Sequence, residues 1–325
     1  MISRRTFLAS SAAASLTAGV LAGGHGALPP HDCRIVGVGG GGLRSLSAIG
    51  PLVGDLAQVI AVSTDRQDLV RASAPRQHLL APELTGGLGA GSNPEVGREA
   101  ALTDAATLRE LMRGADSVVL VGGLGGGTAT GAMPVLAELG SGVTGRTIAV
   151  ATMPFWFEGK RRREQTTGGL FGLRDTADLL IPLPLQALAP YGDGRIGLKE
   201  VFAKADRVVA RVTDTARLLS LLAVRGVVPE PRGRGGAGVG AHSDPLEAVA
   251  AAFRSPLMMG PVRPEAALVH LRGRSVDDRG AEELRATVRE VTGIERVVLA
   301  QSAGDRDGCE ATALVTGERG DLRVA

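Results

Sequence analysis

Two glycine-rich stretches, each lying between an apolar run and a helical pattern, constrain the fold of this chain most. The first, residues 37–42, ends the apolar run that begins at Cys33, and a helical pattern starts at Leu43. The second, residues 122–131, follows the apolar run Ser117–Val121 and leads into another helical pattern. Glycines between a strand and a helix let backbone amides at the helix N-terminus approach an anion. Each stretch therefore predicts a phosphate-binding turn.

Further apolar runs alternate with helical patterns through the first half of the chain. Besides the two runs above, strands are predicted at Val59–Val62, Thr147–Ala151 and Leu179–Ile181. Helices are predicted at 95–113 and 132–139. Strands that are apolar throughout and alternate with helices are typical of a parallel sheet covered on both faces. The fold class predicted for residues 32–197 is therefore α/β.

The second half of the chain changes character at a long helical pattern. Residues 198–224 contain no Gly or Pro, which predicts a helix connecting two domains. Residues 225–241 are rich in Gly, Pro and Arg, which predicts a flexible loop. Apolar and helical patterns alternate again over residues 242–318, which predicts a smaller α+β domain.

The first glycine stretch by itself favours a dinucleotide-binding enzyme. Residues 37–42 satisfy G-x-G-x-x-G, and Asp65 lies about twenty residues further on, as in that fingerprint. The second stretch opposes this interpretation, because a dinucleotide does not need two phosphate turns in one sheet. A nucleoside triphosphate that is held from several sides does need two such turns. The dinucleotide oxidoreductase therefore remains only as an alternative hypothesis.

Four segments resemble the FtsZ/tubulin family. Residues 123–135 (GLGGGTATGAMPV) resemble its signature, and residues 84–100 resemble the FtsZ loop that faces the terminal phosphate. Residues 154–162 resemble its ribose-side segment, and residues 253–257 resemble the start of its second domain. The resemblance implies an FtsZ/tubulin-like α/β fold: a parallel-sheet nucleotide-binding domain, a long central helix and a smaller α+β C-terminal domain.

The resemblance also implies a GTP site, with Mg2+ as a further ligand. Glu158 and Arg162 match the residues that hold the ribose and the neighbouring sugar–phosphate oxygens. The family's base-reading aspartate falls on Arg207, and Asp206 would substitute for it after a small shift. The predicted nucleotide-binding residues are Gly40, Gly41, Gly89, Ala90, Gly91, Gly125, Gly126, Gly127, Thr128, Thr130, Gly131, Glu158, Arg162 and Asp206.

Several positions depart from the family pattern around the base. Leu183 stands where the family has a guanine-reading asparagine, and Arg44 replaces the asparagine of the first loop. Ala129 replaces a glycine of the signature. A leucine cannot hydrogen-bond a base edge, and an arginine cannot accept from guanine's N1–H and amino group. These departures weaken the prediction of guanine selectivity.

The hydrolytic loop of the family is also altered. In FtsZ-type polymers an acidic loop, N-x-D-x-x-D, from one subunit positions water at the nucleotide of its neighbour. The matching residues here, 223–236, contain a single acid, Glu230. This predicts GTP binding with weak or absent turnover, so enzymatic activity is left open.

The function predicted is that of an FtsZ-like GTP-binding protein of the cell-division or cytoskeletal type. Its predicted partners are further copies joined head to tail, or a genuine FtsZ. The alternative is a non-enzymatic scaffold that has lost nucleotide binding. A formal net charge of +2 gives no indication of a nucleic-acid partner, and no direct membrane tether is evident. The two cysteines, Cys33 and Cys309, form no metal-binding motif.

The N-terminal residues carry a separate signal. Arg4 and Arg5 precede an apolar, uncharged stretch, and residues 1–27 resemble a twin-arginine export leader. The family resemblance predicts a cytoplasmic protein, whereas the leader predicts export. The sequence leaves the location open between these two.

Overall fold

A computed structural model describes residues 31–53, 58–191, 197–261, 263–304 and 308–317. Its strands are β1 (Cys33–Val38), β2 (Val59–Ser63), β3 (Arg76–Leu79), β4 (Ser117–Gly123), β5 (Thr147–Met153), β6 (Leu179–Pro184), β7 (Gly233–His242), β8 (Pro264–Gly273), β9 (Arg296–Ser302) and β10 (Cys309–Gly317). Within these residues they form one sheet in the order β3-β2-β1-β4-β5-β6-β7-β10-β8-β9.

Helices cover both faces of this sheet. They are α1 (Gly39–Val53), α2 (Arg66–Arg71), α3 (Pro82–Thr85), α4 (Pro94–Thr103), α5 (Ala105–Met112), α6 (Thr128–Ser141), α7 (Lys160–Thr176), α8 (Leu198–Val224), α9 (Pro245–Phe253) and α10 (Asp278–Thr292). Short 3-10 turns lie at Trp156–Glu158 and Leu185–Tyr191.

The first six strands in chain order are parallel, and all of them except β3 match the predicted apolar runs. Val36 of β1 lies opposite Ile60 of β2 on one side and Leu120 of β4 on the other. One buried cluster joins the sheet to α1 and α8, and a second joins it to α4–α7. With both faces covered, the strands have no solvent side, which explains why their sequences do not alternate. The predicted α/β fold with a mostly parallel sheet is confirmed.

The long central helix is observed with its predicted bounds, as α8. It packs against α1, against β4 and β5 of the first half of the chain, and against β8 and β10 of the second half. Val209, Val212 and Leu219 are among the side chains that it buries in the larger core. The helix therefore connects the two halves of the chain through packed side chains.

The prediction of a flexible loop over 225–241 was wrong for most of that segment, because β7 begins at Gly233. A Cβ atom at Gly238 would lie 2.0 Å from the carbonyl oxygen of Ala252, and one at Gly240 would lie 2.2 Å from that of Ala248. Helix α9 thus packs directly on the backbone of β7. These glycines are required for close packing, and their abundance does not indicate mobility.

Two further differences from the sequence prediction concern local structure. The helix predicted at 95–113 is two helices, α4 and α5, which meet at Asp104. The Asp104 carboxylate accepts a hydrogen bond from the amide of Ala81 at 2.9 Å and lies 2.8 Å from Nε2 of His78. Strand β3 was not predicted, because its sequence, RQHL, is short and mostly polar.

The proposed leader, residues 1–27, lies outside the described residues. In the part of the chain that the structure describes, no helix is both long enough and apolar enough to cross a membrane.

Candidate functional site

A cleft of about 980 Å3 opens where the parallel strands end. Loops at the carboxyl ends of parallel strands are where α/β sheets bind ligands. The cleft brings together ten of the predicted site residues: Gly40, Gly41, Gly89, Ala90, Gly91, Gly126, Gly127, Thr128, Glu158 and Arg162.

The first wall of the cleft is the glycine turn after β1. Gly39 has a φ of +65°, and α1 begins at that residue. A Cβ atom at Gly42 would lie 2.2 Å from the carbonyl oxygen of Val121, so the start of α1 lies directly against β4. Amides in the first turn of a helix have no intrahelical acceptor, and the helix dipole favours an anion there. Gly40 and Gly41 line the cleft at this position.

The second wall is the glycine turn after β4. Helix α6 begins at Thr128, earlier than predicted, and the residue before it, Gly127, provides no side-chain cap. The first backbone amides of α6 are therefore available to donate to an anion in the cleft. The hydroxyl of Thr128 lies 2.6 Å from that of Thr64 at the end of β2. This contact ties the second glycine turn to the neighbouring strand.

The third wall is the loop of residues 88–92. Gly89 and Gly91 have φ values of +90° and +56°, which favour glycine at both positions. The amide of Gly89 donates to the carbonyl oxygen of Thr64 at 3.0 Å. The side-chain amide of Gln165 on α7 donates to the carbonyl oxygen of Ser92 at 2.9 Å. The loop is thus fixed at both ends beside the other two turns.

Glu158 and Arg162 lie at the fourth side of the cleft and are joined to each other. Oε2 of Glu158 accepts from Nη1 of Arg162 at 2.8 Å, and Oε1 accepts from the amide of Phe155 at 2.9 Å. The Glu158 carboxylate therefore stabilises the 3-10 turn that carries it. Carboxylate oxygens have further lone pairs, so this arrangement still permits contacts with hydroxyl groups.

Four predicted site residues do not line the cleft: Gly125, Thr130, Gly131 and Asp206. Thr130 accepts a hydrogen bond from the amide of Gly125 at 2.8 Å, so its hydroxyl closes the turn internally. A Cβ atom at Gly131 would lie 1.9 Å from the carbonyl oxygen of Pro94, which makes Gly131 a packing position between α6 and α4. Asp206 is mostly buried and contacts Arg44 and Ser45.

Two carboxylates that the site prediction did not include line the cleft beside the glycine turns. Asp65 is the N-cap of α2, and Asp68 lies in the first turn of that helix; both line the cleft. A Cβ atom at Gly40 would lie 3.0 Å from Oδ2 of Asp68. Burial, and then the negative charge of Asp65, raise the pKa of the Asp68 carboxyl. Asp68 follows Asp65 by three residues, about one helical turn, and this spacing is the sequence signal that could have identified it.

The described residues contain no cluster of three or more His, Cys, Asp or Glu side chains that would hold a metal ion by itself. Mg2+ at phosphate sites usually takes one or two carboxylates together with phosphate oxygens and water. Asp65 and Asp68 could supply the one or two carboxylates of such a site.

The far end of the cleft is lined by Arg44, Phe202 and Leu185, none of which the site prediction included. The guanidinium carbon of Arg44 lies 4.6 Å from the centre of the Phe202 ring. Leu183, at the family's asparagine position, is fully buried in the core and does not line the cleft.

Comparison with known proteins gives the family. Residues 32–192 match the family model described as Tubulin/FtsZ family, GTPase domain. The chain is 36% identical over 251 residues to the cell division protein FtsZ of Azotobacter vinelandii, covering 74% of this chain and 62% of that protein. Residues 32–192 form a domain of the tubulin/FtsZ family.

A second relative gives the same result. The cell division protein FtsZ of Pseudomonas aeruginosa is 36% identical over 236 residues, covering 69% of this chain and 60% of that protein. The chain thus aligns with less than two thirds of the length of these two FtsZ proteins.

Solved structures of the tubulin/FtsZ family share the fold. An FtsZ dimer from M. jannaschii superposes with a TM-score of 0.80 at 28% identity, covering 89% of this chain and 88% of that chain. A GTPgS-bound protofilament of CetZ2 from Haloferax volcanii superposes with a TM-score of 0.73 at 22% identity, covering 90% and 95%. The latter likeness concerns the fold alone.

Residues 223–236, which the sequence resemblance predicts to match an acidic loop, contain one acid. That acid, Glu230, accepts a hydrogen bond from Arg232 at 2.7 Å and lies 3.5 Å from Nη2 of Arg146. The hydrogen bond from Arg232, together with the charges of the two arginines, lowers the pKa of Glu230. The carboxylate is therefore ionised and already paired with cations of its own subunit.

Proposed function

We propose that this chain is an FtsZ-like GTP-binding protein of the cell-division or cytoskeletal type, and that it hydrolyses GTP weakly or not at all. The observation that carries the proposal is the convergence of three backbone turns on one cleft. A nucleoside triphosphate needs anion-binding groups on several sides, and the turns after β1 and β4 and the loop of residues 88–92 supply them.

Different residues around the cleft would bind different parts of GTP. Amides near Gly41, Gly91 and Gly127 would donate to phosphate oxygens. Glu158 would accept from the ribose hydroxyls, and Arg162 would donate to the adjoining sugar–phosphate oxygens. These contacts would bind GTP without hydrolysing its phosphoanhydride bonds.

Mg2+ would be held from the side of α2. Asp65 and Asp68 would provide carboxylate oxygens, and the phosphates would provide the rest of the coordination. The cation would also screen these two carboxylates from the phosphates of GTP.

Weak hydrolysis follows from the segment 223–236. Glu230 is the single carboxylate there, and its arginine partners compete for the lone pairs that would orient an attacking water. Phosphate release from the purified full chain at saturating GTP and Mg2+ tests this. We expect release close to the level of a protein-free blank, and release as fast as that of a genuine FtsZ assayed beside it would refute the claim.

Head-to-tail self-association, or co-assembly with a genuine FtsZ, completes the proposal. Support comes from the fold shared with the FtsZ dimer of M. jannaschii. Sedimentation with GTP, GDP or no nucleotide tests self-association, and the same experiment with an added FtsZ tests co-assembly. GTP-dependent pelleting in either arm is expected. Absence of pelleting in both arms would remove assembly from the proposal.

A scaffold without nucleotide binding is the second candidate, and two observations favour it. Asp206 contacts Arg44 and Ser45 of its own chain, and Asp68 presents negative charge beside the first phosphate turn. A ligand that binds only the folded state raises Tm. An unchanged Tm with millimolar GTP and Mg2+ would favour the scaffold, whereas a rise favours the GTP-binding protein.

For location we propose the cytoplasm, where nucleoside triphosphates are abundant. Export of the folded, nucleotide-bound chain through a twin-arginine leader is the competing outcome. Cell fractionation of the full chain beside a variant with Arg4→Lys and Arg5→Lys separates the two. Export predicts that the variant disappears from the extracytoplasmic fraction; a cytoplasmic protein shows no difference.

A further inference from the structure

Arg44 has an unusual setting at the far end of the cleft. Its Nε donates to Oδ2 of Asp206 at 2.9 Å, and its guanidinium lies 4.6 Å from the centre of the Phe202 ring. Among the described residues, no atom accepts a hydrogen bond from its two terminal nitrogens. The Arg44 side chain is 47% exposed, and it lines the cleft. The cleft therefore contains a guanidinium that is fixed by one nitrogen and free to donate through the others.

Asp206 and Phe202 hold that guanidinium in place. The second oxygen of Asp206 accepts from the hydroxyl of Ser45 at 2.9 Å, so protein donors occupy both carboxylate oxygens. The Phe202 ring packs edge-on against Phe155 and Phe157, with centroid distances of 5.6 and 6.1 Å. A planar guanidinium clamped between a carboxylate and an aromatic face loses little further conformational freedom when it binds a ligand.

The chemistry of the guanidinium restricts which base it can recognise. Arginine has only donors. Guanine presents two adjacent acceptors, O6 and N7, on one edge, whereas adenine presents the N7 acceptor beside a donating amino group. Bidentate pairing of arginine with O6 and N7 therefore fits guanine and disfavours adenine.

We propose that Arg44 selects guanine by donating to O6 and N7, and that Asp206 is a positioning residue that orients Arg44. This recognition uses the O6 and N7 edge of guanine. The 2-amino group lies on the other edge, and only a hydrogen-bond acceptor on the protein could recognise it. The inference rests on the proposed function, because it requires that the cleft bind GTP. It assigns a specificity role to a residue at which the chain departs from the family pattern.

Base analogues test which edge is read. Calorimetric titration of the full chain with GTP, ITP, 7-deaza-GTP and ATP, all with Mg2+, gives the affinity ratios. ITP keeps O6 and N7 but lacks the 2-amino group, so it should bind within about threefold of GTP. The analogue 7-deaza-GTP lacks the N7 acceptor, and ATP replaces O6 by a donor. Both should bind about ten- to a hundredfold more weakly, which corresponds to the usual discrimination of a bidentate pair.

Variants test the two residues. Arg44→Ala should reduce GTP affinity to that for ATP and make GTP and 7-deaza-GTP equivalent. Asp206→Asn should lower the ratio of GTP to 7-deaza-GTP affinity in part, a readout that a merely structural role would not change. Arg113→Ala is the matched control, since Nε of Arg113 also donates to a carboxylate, Glu110, at 2.8 Å but outside the cleft. Its affinity ratios should match the wild type.

Three outcomes overturn the inference, and they separate it from the proposed function. If ITP binds much more weakly than GTP while 7-deaza-GTP binds equally well, the other edge of guanine is read. If all four nucleotides bind equally, Arg44 does not select a base. In both cases GTP binding stands and the role of Arg44 falls. If none binds, the proposed function falls as well.

Discussion

The backbone of Gly131 faces the carbonyl oxygen of Pro94 so closely that a Cβ atom at residue 131 would lie 1.9 Å from that oxygen. The contact joins α6 to α4, at a glycine that the signature motif suggested as a ligand contact. We expect Gly131→Ala to lower the free energy of unfolding by about 1–3 kcal/mol, because the helices must separate to admit the methyl group. Urea denaturation monitored by circular dichroism measures this.

Gly126→Ala is the matched variant from the same glycine stretch. A Cβ atom at Gly126 would have no atom within 4 Å, and the residue lines the cleft. The added methyl group should leave the urea midpoint unchanged and weaken GTP binding, since it occupies ligand space. Equal destabilisation by the two substitutions would contradict this division between packing and binding glycines.

The carboxylate of Asp68 predicts a pH effect on GTP binding. Its pKa is raised, so a larger fraction is protonated in mildly acidic solution than for an ordinary aspartate. As the pH rises through that pKa, the ionised group repels phosphate oxygens in the absence of Mg2+. GTP affinity without Mg2+ should therefore fall with rising pH more steeply in the wild type than in Asp68→Asn.

The Asp68→Asn variant also serves as the control for titration of GTP itself, which affects both proteins equally. Adding Mg2+ should strengthen GTP binding more in the wild type than in the variant. Identical Mg2+ and pH dependence of the two proteins would show that Asp68 does not act on the ligand.

The buried His270 predicts a pH effect on stability. Burial lowers its pKa to about 4, against the opposing influence of Asp214, while the unfolded chain retains an ordinary value. Below about pH 6.5 the unfolded state binds a proton that the folded state does not, so stability is lost as the pH falls toward 4. The loss from this group is about 3 kcal/mol at most.

Comparison of the wild type with His270→Gln isolates this contribution from other acidic transitions. The wild type should lose more unfolding free energy than the variant between about pH 7 and pH 4. Parallel curves for the two proteins would show that His270 does not titrate in this window.

Strand β7 supplies a test of the corrected fold. Gly238→Ala should destabilise the protein strongly, because the methyl group would meet the carbonyl oxygen of Ala252. Gly260→Ala, where a Cβ atom would meet nothing within 4 Å, should cost little. If residues 233–241 were a flexible loop, both substitutions would leave Tm almost unchanged.

The contrast between β7 and the glycine turns shows what the sequence could predict. The turns, the parallel strands other than β3, and α8 follow from local patterns, because apolar periodicity and glycine placement act over a few residues. Strand β7 is so rich in glycine that its composition is that of a linker. The role of these glycines depends on α9, which packs on them, and composition alone does not contain that information.

The same distinction applies within the site. The sequence signal identifies Gly126 and Thr128, because their role follows from the position of a turn between a strand and a helix. Thr130 and Asp206 have roles that depend on which donors reach them in the folded chain, namely the Gly125 amide and the Arg44 guanidinium. Such contacts are set by tertiary packing, and the motif match could not reveal them.

Equilibrium dialysis of the full chain against labelled GTP and Mg2+ decides whether this cleft is a GTP site. We expect saturable retention approaching one nucleotide per chain, with the bound nucleotide recovered mainly as GTP after prolonged incubation. Retention should weaken in Gly126→Ala. Failure of the wild-type chain to retain GTP at millimolar concentration, or recovery of the label mainly as GDP, would contradict the proposed function.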